Sequence, residues 1–304
     1  MRITNAMMVN NMISNISKNQ TRMDKLQNQM ATGKKIEVPS DDPVVAARAL
    51  KLRTDVAEIT QYQKNVDDAT SWVDITESAL SNIGDVLHRA RELAVKSANG
   101  TMSTEDQQAT ASEVKQLREQ LIQLSNSTYA GRYIFSGYQT DKPLVDEVTG
   151  NYAIPSASTE VMNYEIGVGN DINVNVLGGE LFDGTGASAV AGSTPKMIQD
   201  MDKFFDDLNT NNQTAISTLI DGIQSDLDNV TRIRADIGAR SNRLDLTKSR
   251  LDSDEYNFTK LMSNNEDVDQ AEVIMNLTNE ENVYKASLSA GAKIIQPSLV
   301  DFLR

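Results

Sequence analysis

Every seventh residue from Val45 to Ala94 is apolar: Val45, Leu52, Ile59, Val66, Val73, Leu80, Leu87 and Ala94. The positions between them are mostly polar or small, among them Asp55, Lys64, Asp67, Asp68, Asp74 and Glu77. A seven-residue apolar repeat describes a helix with one seam facing a partner helix. Tyr62, Ala69, Ile83 and Ala90 widen that seam. About fifty residues at ~1.5 Å each give a rod of roughly 75 Å, which needs an equally long partner. A second unbroken register supplies one: Ile216, Ile223, Val230, Ile237, Leu244, Leu251 and Phe258. The spacing predicts that these two stretches, far apart in the chain, form the core of one helical rod.

Both chain ends repeat the pattern in registers of their own. Met1–Gly33 carries Val9, Ile16, Met23 and Met30, helped by Met12 and Leu26 and interrupted by Asn19. Six of the twelve Met residues lie there, a flexible side chain suited to adaptable contact surfaces. Val268–Arg304 carries Ile274, Leu288, Ile295 and Phe302, with Leu277 and Tyr284 alongside and Pro297 set to kink or stop a helix. Each end is too short and isolated to be a stable helix alone. Each needs the other, or a neighbouring molecule, and the ends are expected to order on assembly.

Between these elements the punctuation is clear. Ser40-Asp41-Asp42-Pro43 is a helix start, with Ser40 or Asp41 as the expected cap; capping accounts for the adjacent acids without a metal. The long helix should reach about Ser97, ending at Asn99-Gly100. Ser103-x-x-Asp106 and Thr104-x-x-Gln107 both resemble a capping box, opening a helix with Val114, Leu117, Leu121 and Leu124 inward. Arg132–Tyr138 is rich in strand formers and reads as a strand or hairpin. From Asp141 to Thr194 strict alternation runs through Met162, Tyr164, Ile166 and Val168, then Ile172, Val174 and Val176. Gly169-Asn170-Asp171 and Gly150-Asn151 supply turns, and Gly178 to Gly192 reads as loop. Ser193 or Thr194 before Pro195 restarts helix, with Ile198, Met201, Phe204, Phe205 and Leu208 inward. The fold class that follows is mainly α with a small β-rich insertion, a long helical rod or coiled-coil bundle built by the N- and C-terminal halves. Three domains are expected: residues 1–39 with 268–304, residues 40–140 with 195–267, and the insertion 141–194. The insertion, having its own turns and no rod positions, is expected to be dispensable for folding of the rods.

Composition narrows the function by exclusion. The chain has 304 residues, 39% of them hydrophobic and only 5% aromatic, which suits long helices better than a thick core. Its net charge is −14 with Lys and Arg dispersed, against nucleic acid or an anionic membrane as the main partner. Without Cys there are no disulfides and no Cys-ligated metals. No secretory signal is visible, because Asn5, Asn10 and Asn11 interrupt Met1–Ser14 where an apolar run should be. Enzymatic chemistry finds little support. His88, the single histidine, sits beside the seam with no second His or Cys, and reads as a surface residue. Gly167-x-Gly169 lies in a hairpin and not between a strand and a helix, so no phosphate loop forms. The acidic runs Asp141–Glu147 and Asp200–Asp207 fit loops and solvated helix faces better than a carboxylate pair. No catalytic, cofactor or metal residue is expected.

Several segments carry a resemblance. Arg91-Glu92-Leu93-Ala94-Val95-Lys96-Ser97-Ala98-Asn99-Gly100-Thr101, Ile237-Gly238-Ala239-Arg240-Ser241-Asn242-Arg243-Leu244 and the ending Gln296-Pro297-Ser298-Leu299-Val300-Asp301-Phe302-Leu303-Arg304 resemble the bacterial flagellin superfamily. Ser40–Pro43 with Val44–Leu50, and Gly131–Tyr138, look like the members that join hook to filament; filament flagellins usually carry other residues there. The resemblance covers about 250 residues, everything outside Asp141–Thr194. It implies a flagellin-like fold with a terminal coiled-coil assembly domain, a helical rod domain and an outer β-rich domain. It also implies a structural adaptor at the hook–filament junction of the bacterial flagellum, exported through the flagellar type III apparatus, acting outside the cell, with no cofactor and no reaction. Its implied partners are further copies of itself, hook-associated protein 1, flagellin and an export chaperone. The implied assembly interface is the terminal seams: Val9, Met12, Ile16, Met23, Leu26 and Met30 with Ile274, Leu277, Leu288, Ile295, Leu299 and Phe302. The alternative reading is a flagellin, the filament subunit itself.

Overall fold

The computed structural model describes residues 5–100 and 102–295. Helix α1 spans Asn5–Thr32, α2 Pro43–Ala98, α3 Thr104–Ser125, α4 Gly178–Phe182, α5 Lys196–Thr210, α6 Gln213–Glu266 and α7 Gln270–Ile295. Four short strands complete the described residues: β1 Thr128–Tyr129, β2 Arg132–Tyr133, β3 Asn163–Glu165 and β4 Asp171–Asn173. The chain divides into two compact units, Met1–Glu58 with Ser253–Arg304, and Ile59–Asp252. The fold is thus mainly helical with a small β insertion.

The helix boundaries follow local chemistry. Asp42, not Ser40 or Asp41, caps α2: its Oδ1 accepts from the N–H groups of Val44 at 3.0 Å and Val45 at 3.1 Å, with Pro43 at the first helical position. Asp41 instead closes the preceding turn, accepting from the N–H groups of Glu37 and Val38, which holds its carboxyl below the usual range. Of the two candidate capping boxes before α3, Ser103 with Asp106 forms. Helix α5 starts at Lys196 after Pro195, and its cap comes from afar: Asp183 Oδ1 accepts from the Lys196 N–H at 2.6 Å. Gly33 ends α1 with φ +71°, as a left-handed terminating residue should.

In the unit Ile59–Asp252, α2 and α6 run antiparallel. Gln63 reaches Asp252 at 3.0 Å, Lys248 reaches Asp67 at 2.6 Å, and Arg234 grips Glu77 at 2.6 Å. Ile59, Val66, Val73, Leu80, Leu87 and Ala94 are buried on α2, and Ile216, Ile223, Val230, Ile237, Leu244 and Leu251 on α6. A Cβ added at Gly84 would sit 4.0 Å from Val230, so a small residue brings the two seams together. Val114 and Leu121 of α3 are buried while Leu117 and Leu124 are half-buried; α5 contributes Ile198, Met201, Phe204 and Leu208, with Phe205 half-buried. Arg118 of α3 pairs with Asp202 of α5. Trp72 is buried on α2, edge-on to Tyr129 with ring centroids 5.9 Å apart.

The strand-rich segments are shorter than their alternation suggests. In Arg132–Tyr138 only Arg132–Tyr133 is strand, paired with Thr128–Tyr129 across Ala130-Gly131, both at positive φ as a tight hairpin demands. Ile134 and Phe135 leave the ladder because they are buried in the core, Phe135 edge-on to Phe182. In the insertion, β3 and β4 pair antiparallel with Tyr164 opposite Ile172. The pairing stops at the 166–170 turn, whose tip leaves Val168 exposed, so the alternation at that position does not mark a strand. The stretch expected to be loop from Gly178 to Gly192 contains α4, because Leu181 and Phe182 are apolar anchors that a loop would leave in water.

Arginines of α6 hold the insertion. Arg240 Nη1 donates to the carbonyls of Asn173 and Asn175 at 3.2 and 3.1 Å. Arg243 reaches Asn170 Oδ1 and the Asp171 carbonyl, and Arg232 pairs with Glu180 at 2.9 Å. Asn65 of α2 donates to the Glu165 carbonyl at 2.8 Å. Replacing residues 141–194 by a Gly/Ser linker is therefore expected to keep the helical circular dichroism signal, since none of the α2–α6 seam lies in the insertion. It should also lower the melting temperature by several degrees, because these arginines and the apolar patch under Phe182 lose their partners. An unchanged melting temperature would show that the grip is idle.

Candidate assembly surface

The unit Met1–Glu58 with Ser253–Arg304 is built on an antiparallel pair of α1 and α7. Asn19 Nδ2 donates to Ser287 Oγ at 3.1 Å, and Arg22 pairs with Glu280 at 3.0 Å. Met12 packs where Gly291 leaves room: a Cβ there would lie 2.6 Å from Met12 Cε. The inward positions of α1 are Val9, Met12, Ile16, Asn19, Met23 and Leu26, of which only Asn19 is buried and the apolar ones half-buried. Asn19, an interruption in the apolar pattern, is thus the best-covered residue of its helix; its amide is satisfied by Ser287 while its carbonyl accepts from Arg22 at 2.6 Å. Met30 is exposed.

On α7 the inward series is Val273, Leu277, Glu280, Tyr284, Ser287 and Gly291. Leu277 is buried and Tyr284 half-buried, whereas Ile274 and Leu288 are 51% and 45% exposed. The seven-residue stripe of Ile274 and Leu288 therefore flanks the seam and faces outward. The side chain of Ile295, and Leu299 and Phe302 altogether, lie outside the described residues. In this unit the seam residues Val45, Leu52 and Phe258 are half-buried, unlike their counterparts in the other unit.

Exposed large apolar side chains concentrate here. Met7, Met8 and Ile13 on α1 join Ile274, Met275 and Leu288 on α7, with Ile13 56% exposed. Scattered single apolar residues are ordinary on a protein surface, but Ile274 and Leu288 share one flank of the α7 seam, and a helix that keeps both an inner seam and an apolar flank is suited to contact with another chain. None of this geometry is catalytic. Among the described residues no three His, Cys, Asp or Glu gather as a metal site, and His88 is exposed. No described helix is long and apolar enough to cross a membrane.

Two family models match the helical parts: the bacterial flagellin N-terminal helical region over residues 3–140 and the bacterial flagellin C-terminal helical region over residues 220–303. Flagellar hook-associated protein 3 of Salmonella typhimurium is 32% identical, over 94% of this chain and 95% of that protein. The chain belongs to the flagellar hook-associated protein 3 family. The protein of that name from Escherichia coli K12 is 30% identical over 95% of this chain and 96% of its own. A putative flagellar hook-associated protein from Vibrio parahaemolyticus shares the fold with a TM-score of 0.66 at 22% identity, covering 75% of this chain and all of that one. As a member of the hook-associated protein 3 family, the chain is a structural, non-enzymatic adaptor of the hook–filament junction, exported and assembled outside the cell as part of the flagellum. The residues left between the two matched regions, 141–219, hold the insertion and α5.

Sequence periodicity located the inward face of α1 and the seams of α2 and α6. It missed Val273, Glu280 and Ser287 on α7 and the exposure of Met7, Met8 and Ile13 on α1. Besides Leu277 and Tyr284, the small residue Gly291 was a signal for the α7 seam, since close helix approach favours a residue with no side chain.

Proposed function

We propose that the chain joins its neighbours in the junction through the α1–α7 pair, with the terminal unit as the assembly domain and Ile59–Asp252 as a self-sufficient rod. The observation that carries this reading is the half-buried α1–α7 seam with Ile274 and Leu288 exposed along its α7 flank and Ile13 exposed on α1. A helix pair so thinly packed gains little from its own contacts, and a neighbouring subunit that covers Ile13, Ile274 and Leu288 adds burial worth about 25 cal/mol for each Å². The partners on either side are further copies of this chain, hook-associated protein 1 toward the hook and flagellin toward the filament. Before export, a cytoplasmic chaperone covers the carboxyl-terminal part. The adaptor reading over that of a filament subunit rests on Ser40–Pro43 and Gly131–Tyr138.

A strain lacking the protein is expected to build hooks yet shed filament subunits into the medium, and the purified protein should not extend seeded filaments. Long filaments grown from the protein alone would make it a filament subunit instead.

A further inference from the structure

Two helix breaks in the terminal unit are fastened to each other. Lys34 and Asp267 form an isolated antiparallel bridge. The Lys35 N–H donates to the Glu266 carbonyl at 2.6 Å and the Val268 N–H to the Gly33 carbonyl at 3.0 Å. The side chains close the same gap. Glu266, the last residue of α6, is 1% exposed, and its carboxylate accepts Arg53 Nε at 2.8 Å and Nη2 at 2.6 Å. Lys34 Nζ lies 3.3 Å from Glu266 and 2.6 Å from Asp267, whose other oxygen accepts from Ser263 at 2.6 Å. Lys35 Nζ donates to the Asn264 carbonyl at 2.8 Å.

Glu266 is buried while Arg53 and Lys34 keep much of their surface in water, so solvent screening leaves the contact a modest source of net stability. A bidentate guanidinium–carboxylate contact does fix direction. Its place is informative: Glu266 closes α6, Lys34 follows α1, and Arg53 belongs to α2, so three chain segments are set by one carboxylate. We infer that Glu266, held by Arg53 and Lys34, is a positioning latch that sets where both chain ends leave α2 and α6, and that incorporation into the junction depends on it. This rests on the assembly role proposed for α1 and α7.

Arg53 and then Lys34 hold the Glu266 carboxyl below its usual range, and Lys34 does the same for Asp267. Both are carboxylates with lowered folded-state values. The latch therefore contributes in full above the ordinary carboxylate value, ~4.3 for Glu, and is lost as pH falls through the lowered values. Both carboxylates are charged at neutral pH, so titration does not open it there.

The test uses the full-length chain. Glu266→Gln and Arg53→Met should each lower incorporation at the hook tip by about tenfold or more, because each breaks the bidentate contact that directs the chain ends. The thermal transition of Ile59–Asp252 should not move. The double variant should lose no more than either single one, because both remove the same contact. Normal incorporation of Glu266→Gln, or losses that add in the double variant, would overturn the latch. Leu288→Asp separates this from the broader reading: if it assembles normally, the assembly face is wrong, whereas a block by Leu288→Asp alone sinks only the latch.

Discussion

Val73→Asp should unfold the rod under conditions where the native chain is stable. Val73 is 1% exposed and lies on α2 between Asp67 and Glu77, the two residues tied across to Lys248 and Arg234 of α6. The α6 stretch bracketed by those partners contributes Ile237 and Leu244, both fully buried. A carboxylate placed there finds apolar side chains and no cation within the seam. An uncompensated buried charge costs on the order of 3–5 kcal/mol, a large part of the stability of an ordinary domain. The melting temperature should fall by roughly 10 °C or more. Val230→Asp, on the partner helix beside Gly84, should do the same. Ile75→Asp is the control: Ile75 is exposed, so the same new charge should change stability by less than about 1 kcal/mol. Melting of Val73→Asp within a degree of the native chain would mean that the seam is not a cooperative core.

Removing Leu299–Arg304 should abolish incorporation while leaving the rod folded. The final residues carry the ending that resembles the flagellin carboxyl terminus, and none of the α2–α6 seam belongs to them. Limited proteolysis of the dilute native monomer should trim both ends and spare a core of roughly Ser40 to Met262, because a pair of helices of about thirty residues with a half-buried seam hardly offsets its ordering cost. The truncated chain should give the same core and the same thermal transition, yet yield non-motile cells that shed filament subunits. Motile cells after the deletion, or ends that resist protease in dilute solution, would defeat the coupling of end-ordering to assembly.

What the sequence determined by itself is what local periodicity can encode. Helical hydrogen bonds are made within a segment, so a 3.5-residue apolar period announces both the helix and its buried face. That sufficed for the long helices, for the seams from Ile59 to Ala94 and from Ile216 to Leu251, for the Ser103 cap and for family membership, which is written in short contiguous motifs. What only the tertiary structure decided is which of two competing faces wins and what distant polar groups do. Helix α7 carries two apolar stripes a fraction of a turn apart, Ile274 with Leu288 and Leu277 with Tyr284. Periodicity favours neither; the second turns inward because its line continues through Ser287 and Gly291, where Asn19 and Met12 of α1 find a partner and room. The caps from Asp42 and Asp183, the burial of α4, the arginine grip on the insertion and the Glu266 latch share a further reason. A carboxylate or guanidinium in a polar stretch looks the same whether it is solvated or paired with a residue two hundred positions away, because its partner is chosen by the path of the backbone and leaves no local pattern.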